Sequence, residues 1–212
     1  MNAKISSFDS FGILFPDEKD KGNLVPRRDV RFRDISLATP YERDIRRVVS
    51  LGFMTGTSAK KYSPAALLTC ITAVQTLYRL TFVPDLADKK TCKALRKNSD
   101  ADEALGWAAK CGIISGGREN PFCGDDYITK DQLALLFYKY ALLRGYDIPW
   151  TVPLCGSDDS EENQCQRKAA MEWALAVRLF TDKNPITLAA MCRMTRGEFA
   201  SVILRFYDLY HN

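Results

Sequence analysis

An all-α fold of three helix-loop-helix repeats around a shared centre is what this sequence predicts, on three observations. A ten-residue pattern recurs: Arg47-Val-Val-Ser-Leu-Gly52-Phe-Met-Thr-Gly56, Trp107-Ala-Ala-Lys-Cys-Gly112-Ile-Ile-Ser-Gly116 and Trp173-Ala-Leu-Ala-Val-Arg178-Leu-Phe-Thr-Asp182. Seventeen positions after the sixth residue of each pattern stands a threonine: Thr69, Thr129 and Thr195. Beyond each threonine, offsets 4, 7, 8 and 11 carry one stripe: Ala73, Thr76, Leu77 and Leu80; Leu133, Leu136, Phe137 and Tyr140; Phe199, Val202, Ile203 and Phe206. That spacing is one face of an α-helix, and self-similarity at a long period decides the architecture first.

The first helix of each repeat comes from the residues ahead of the pattern's sixth position. Ile45, Val48, Val49 and Phe53 mark a helix ending near Gly52, and Leu105, Ala108 and Ala109 mark one ending near Gly112. A glycine closes such a helix in the left-handed region without steric cost. Arg178 has a β-carbon at the third such position and is expected to alter that helix end.

The second helix starts at the threonine. Thr129-x-x-Gln132 and Thr195-x-x-Glu198 read as capping boxes, in which the hydroxyl takes an orphan amide proton and the third side chain bonds back. The first repeat has Thr69 with Thr72 in the reciprocal place, and Ser63-Pro64 offers an earlier start. The repeat runs 60 residues from Thr69 to Thr129 and 66 from Thr129 to Thr195, with the extra length assigned to the acidic stretch 156–164. A helix pair this short cannot cover its own apolar faces, so three are expected to seal one another in a single domain. The expected organisation is an N-terminal arm, 1–31, and a domain, 32–210, with repeats at about 32–82, 98–146 and 155–210.

Composition excludes several classes. The chain has 212 residues, 46% hydrophobic and 26% charged, as an ordinary globule does. A net charge of +4 lacks the dense basic stripe of a duplex-binding protein, and nucleic acid is not an expected partner. Charge is uneven, 18 Lys+Arg against 11 Asp+Glu in residues 1–100 and 12 against 15 afterwards. Arg27 to Arg47 and Lys89 to Lys97 hold the two basic runs. No run of about 18 apolar residues occurs, so no membrane span is expected. Residues 1–15 have no signal-peptide core, which points to the cytoplasm.

Seven cysteines, none closer to another than Cys155 is to Cys165, lack paired zinc-ligand spacing and read as buried thiols. No metal or cofactor is expected. The acidic residues Asp158, Asp159, Glu161 and Glu162 lack the spacing of a calcium loop. The single histidine, His211, sits at the chain's end, where a Ser-His, Cys-His or multi-histidine mechanism has nothing to build on. No phosphate-cradling glycine motif occurs, and the expectation is a protein that is not an enzyme.

The run Met194-Thr195-Arg196-Gly197-Glu198-Phe199-Ala200 resembles the T-R-A-E signature of an S-layer homology (SLH) repeat. The Trp-Ala pairs at Trp107 and Trp173, the turn Gly112 to Gly116 and the start Phe32-Arg33-Asp34-Ile35 are similar to the rest of that pattern, over about residues 32–210. The resemblance implies a pseudo-threefold arrangement whose grooves bind anionic, often pyruvylated, cell-wall polysaccharide on a bacterial surface. The signature arginine falls on Arg196, on Lys130 and on Cys70, and the aromatic position on Trp107, Trp173 and Arg47.

An arginine at a helix amino terminus suits a sugar carboxylate, because guanidinium, free amides and dipole act together. The expected ligand-binding residues are Arg196, Lys130, Trp107, Trp173, Asp34 and Gly116, in a non-catalytic anchoring module. The alternative is an intracellular protein-interaction or scaffolding module, with self-association possible, that keeps the fold without the sugar site.

Overall fold

The computed structural model describes residues 31–81, 99–114, 125–148, 160–181 and 192–211. They form six helices and no β-strand: α1 (Glu42–Ser50), α2 (Cys70–Thr81), α3 (Ser99–Lys110), α4 (Lys130–Leu143), α5 (Ser160–Ala176) and α6 (Arg196–His211). The described protein is all-α. Residues 1–30 of the arm, Gly116, the Lys89 to Lys97 run, Asp158 and Asp159, and Cys92, Cys123 and Cys155 lie outside the described residues.

Each second helix begins on the residue after its threonine, at Cys70, Lys130 and Arg196. The Thr195 box is complete: Glu198 N–H donates to Thr195 Oγ1 at 3.2 Å, and Thr195 N–H donates to Glu198 Oε2 at 2.7 Å. In the second, Thr129 N–H donates to Gln132 Oε1 at 3.0 Å. In the first, Thr72 N–H donates to Thr69 Oγ1 at 3.3 Å and the two hydroxyls pair at 2.9 Å. Ser63-Pro64 starts no helix: Ser63 takes a left-handed φ of 60° and α2 waits until Cys70.

The first helices end alike. Gly52 N–H donates to Val49 O and Phe53 N–H to Val48 O; Gly112 donates to Ala109 and Ile113 to Ala108; Arg178 donates to Leu175 and Leu179 to Ala174. This is the Schellman pair of bonds, with the last residue but one left-handed: φ is 78° at Gly52, 69° at Gly112 and 57° at Arg178. The expectation that Arg178 alters its helix end is therefore corrected. Arginine enters the left-handed region at a cost of roughly 1–2 kcal/mol, which is smaller than the return from burying Leu179 and Phe180 just beyond it.

All twelve stripe residues are buried. What covers them is not the first helix of the same repeat. The closest helix pairs are α2 with α3, α4 with α5, and α6 with α1, while α2 also meets α4. Phe137 of α4 lies 4.7 Å from Phe206 and 6.3 Å from Phe199 of α6, ring centre to ring centre, so these two inner helices share one core.

Backbone hydrogen bonds link the three threonine segments in a closed circuit. Cys70 N–H donates to Asp126 O at 2.8 Å, Lys130 N–H to Cys192 O at 3.0 Å, and Arg196 N–H to Ala66 O at 2.8 Å. Every donor follows its threonine by one position and every acceptor precedes the next threonine by three. Isolated bridges pair Leu67 with Thr195, Thr69 with Tyr127 and Thr129 with Arg193. Leu68, Ile128 and Met194, one residue before each threonine, are all buried.

Candidate binding site

The three positions that match the signature arginine are buried: Arg196 is 7% exposed, Lys130 1% and Cys70 7%. The Arg196 guanidinium points back across the α6 start into the loop after α1. Its Nε donates to Tyr62 O at 3.0 Å, its Nη2 to Thr55 O at 2.6 Å, and its Cζ lies 4.9 Å from the Tyr62 ring centre. Tyr62 Oη returns a bond to Arg196 O at 3.2 Å. Burial lowers the Arg196 pKa, with Tyr62 opposing it, and burial raises Tyr62 well above the ordinary phenol value, with Arg196 opposing that.

The amides at the α6 start are engaged too. Arg196 N–H donates to Ala66 O at 2.8 Å and Gly197 N–H to Pro64 O at 2.9 Å, while Glu198 N–H serves the cap. The idea of free amides awaiting a carboxylate beside Arg196 is corrected: loop carbonyls and the Thr195 hydroxyl already take those protons. Gly197 fits closely there: a β-carbon would stand 3.1 Å from Pro64 O and 3.3 Å from the Tyr41 ring, a tight approach that would make the loop give by a few tenths of an ångström.

Asp34 also faces inward along the chain. Its Oδ1 accepts from Tyr62 N–H at 3.0 Å and its Oδ2 from Ser63 N–H at 2.7 Å. Burial works to raise this carboxyl, but those amides, its own backbone N–H and the Lys61 charge outweigh it and hold its pKa below the usual value. Asp34 thus clamps the left-handed Ser63 turn.

Trp107 and Trp173 are 1% and 0% exposed. Trp107 lies 5.5 Å from the Tyr78 ring and Trp173 5.5 Å from the Tyr138 ring, each joining a first helix to the second helix before it. Neither offers a face for stacking on a sugar, so their expected place as groove platforms is corrected to core. The Trp173 indole N–H makes no well-formed hydrogen bond, although its approach to the Tyr210 hydroxyl works against the burial that raises that phenol. Arg47, at the matching position of α1, instead meets Asp208 of α6 in two bonds of 2.8 and 2.7 Å.

Sequence reasoning missed a second set of matched cations. Ten positions after the threonines stand Arg79, Lys139 and Arg205. Arg79 Nη1 donates to Phe53 O at 3.4 Å and Arg205 Nη1 to Leu179 O at 2.8 Å, the carbonyls just past the left-handed residues. Burial lowers the Lys139 pKa. A basic residue recurring at one offset inside an apolar stripe was the available signal. Of the cysteines, Cys70 is buried, Cys111 and Cys192 are half-buried and Cys165 is exposed, so buried thiols are found only in part.

Between α2 and α3 a hollow of about 80 Å³ is lined by Gln75, Tyr78, Arg79 and Glu103, far below the roughly 300 Å³ where ligand pockets begin. Among the described residues no three His, Cys, Asp or Glu side chains gather as metal ligands, and no helix is long and apolar enough to cross a membrane. No protein-family model matches the chain, and no curated protein matches it.

Proposed function

We propose that the chain is a three-repeat, pseudo-threefold module of SLH type that anchors a protein to anionic cell-wall polysaccharide and performs no catalysis. The observation that carries this reading is the circuit of backbone bonds in which each threonine-led helix start donates to the segment before the next threonine. The cyclic pairing α2 with α3, α4 with α5 and α6 with α1 supports it as well. In this reading Arg196, Lys130, Trp107, Trp173 and Asp34 build the walls between repeats rather than touch the polymer.

The test is cosedimentation of the protein with purified bacterial sacculi, with and without their secondary polysaccharide. The reading expects pelleting with the intact sacculi and its loss on the stripped ones. Equal recovery from both, or from neither, would overturn it.

The burial of the two tryptophans and of Lys130 favours a second reading, a scaffold that keeps the fold and binds protein. Gel filtration with light scattering addresses its simplest form, which expects a stable oligomer and no response to sacculi.

A further inference from the structure

Arg33 N–H donates to Lys60 O at 2.9 Å, which sets the chain before α1 against the tip of the loop after it. The tip is a tight turn: Ser58 N–H donates to Lys61 O at 3.1 Å, the two residues form a bridge, and Thr57 Oγ1 pairs with Ser63 Oγ at 2.8 Å. Its base is held on three sides. Phe32 packs 5.7 Å from the Tyr62 ring, Asp34 takes the Tyr62 and Ser63 amides, and Arg196 takes the Thr55 and Tyr62 carbonyls. Gly56 lies so close to Phe32 and the Lys61 carbonyl that a β-carbon would come within 2.5 Å of both.

This braced edge presents Arg31, Arg33, Lys60 and Lys61, all exposed. Residues 31–34 and 55–64 hold those four cations against one acid, Asp34, a balance of 4 − 1 = +3. That acid's two oxygens are already bonded to backbone amides. The edge therefore keeps a net positive charge of three after Asp34, whose carboxylate also feels Lys61, is counted, and the backbone that carries the cations is braced before any partner arrives, which reduces the ordering cost of binding.

We infer that this edge is the surface that takes the polymer, through two or three carboxylates of an acidic polysaccharide. The inference rests on the anchoring reading above and moves its contact from the signature arginine to the Lys60–Lys61 turn. Four cations on two short segments suit two or three carboxylates of a sugar chain and are fewer than the many phosphate contacts over which a duplex-binding surface gains its affinity. The exposed Thr57 and Ser58 flank the lysines with hydroxyls suited to a hydrated sugar chain.

The test compares wild type with a Lys60→Gln/Lys61→Gln double variant, using intact sacculi and soluble polygalacturonate, with neutral dextran and duplex DNA as comparators. Both lysines are exposed, so the fold is kept and the thermal melt shifts only by the small loss of the Lys61 attraction to Asp34. The expected result is binding to sacculi and polygalacturonate but not dextran, about tenfold weaker in the variant and less sensitive to salt. Equal binding by wild type and variant would overturn the edge while leaving the anchoring reading intact. Failure of wild type to bind intact sacculi would remove that reading and this inference together. Duplex DNA bound as tightly as polygalacturonate at one salt concentration would overturn the polysaccharide class.

Discussion

Arg47 of α1 and Asp208 of α6 join the first and last helices by two parallel hydrogen bonds, 2.8 and 2.7 Å long, at the place where Trp107 and Trp173 meet Tyr78 and Tyr138 at the other two helix pairs. The first-helix residues are equivalent in position, but Tyr78 and Tyr138 stand nine positions after their threonines and Asp208 thirteen after Thr195, about one helical turn further on, and the chemistry differs. Ser201 adds a hydrogen bond to Asp44 across the same α1 and α6 pair, and Arg196 ties the α6 start to the loop after α1. At this position the α1–α6 pair is fastened by polar groups and the other two by buried rings, although Arg167 also approaches Asp131 at 3.8 Å across α5 and α4, and Phe53 just past α1 packs 5.1 Å from the Tyr207 ring of α6.

That difference is measurable. Both partners of the ion pair are substantially exposed, so Asp208→Ala should cost about 0.5–1 kcal/mol at low ionic strength and less at about 1 M salt. Trp107→Ala removes a fully buried ring and should cost about 3–5 kcal/mol with little dependence on salt. Urea unfolding followed by circular dichroism at two salt concentrations gives both numbers. Equal costs, or a salt-dependent Trp107 effect, would contradict the assignment of polar and apolar fastenings.

Arg178 offers a test of backbone strain. It holds φ 57° where Gly52 and Gly112 hold 78° and 69°, and the left-handed region costs an L-residue roughly 1–2 kcal/mol. Part of that is offset because glycine loses more freedom on folding, so Arg178→Gly should stabilise the protein by about 0.5–1 kcal/mol. The converse change, Gly112→Ala, meets no atom within 4 Å and should destabilise through φ alone. Thermal melts of both variants decide it; a destabilised Arg178→Gly protein would mean the side chain contributes more than its backbone costs.

Helix identity was legible because it rests on local chemistry. A threonine hydroxyl and a stripe at offsets 4, 7, 8 and 11 specify where α2, α4 and α6 start and which face is covered, and all twelve stripe positions are buried. Which helix does the covering was not legible. An apolar stripe records that a face is buried, not whose residues bury it, and here α3, α5 and α1 each serve a neighbouring segment. The candidate site misled for a related reason: Arg196 in isolation reads as an anion donor, and only the loop carbonyls of Thr55 and Tyr62, 141 and 134 positions away, turn it inward.

Arg196 should therefore behave as a structural cross-link. Arg196→Ala leaves the Thr55 and Tyr62 carbonyls without their donors and opens a space beside the Tyr62 ring, a loss of about 2–4 kcal/mol. Arg196→Lys keeps the charge but reaches at most one of the two carbonyls and should recover less than half of that loss. Hydrogen exchange is the informative readout, because protection should fall first in residues 54–64 and at the α6 start. Loss spread evenly over α4 and α6 would argue for a different role.

The two pH limits of stability come from different residues. Asp34 has a folded pKa below its unfolded one, so its contribution is complete above about pH 4 and is lost as pH falls through the folded value. Asp34→Asn should then be less stable than wild type at neutral pH, with the gap narrowing in acid. Tyr62 and Tyr140 lie the other way: burial raises both phenols, so their contribution is whole below the unfolded value near pH 10 and disappears as pH climbs toward the folded ones. Above about pH 10 the unfolded chain ionises while the native core keeps both hydroxyls neutral, and unfolding gains driving force with each increment of pH. Tyrosinate absorbance and helical signal should consequently change together for these two rings, in one cooperative step. A tyrosinate signal that saturated while the helices remained intact would show that Tyr62 and Tyr140 titrate inside the folded protein.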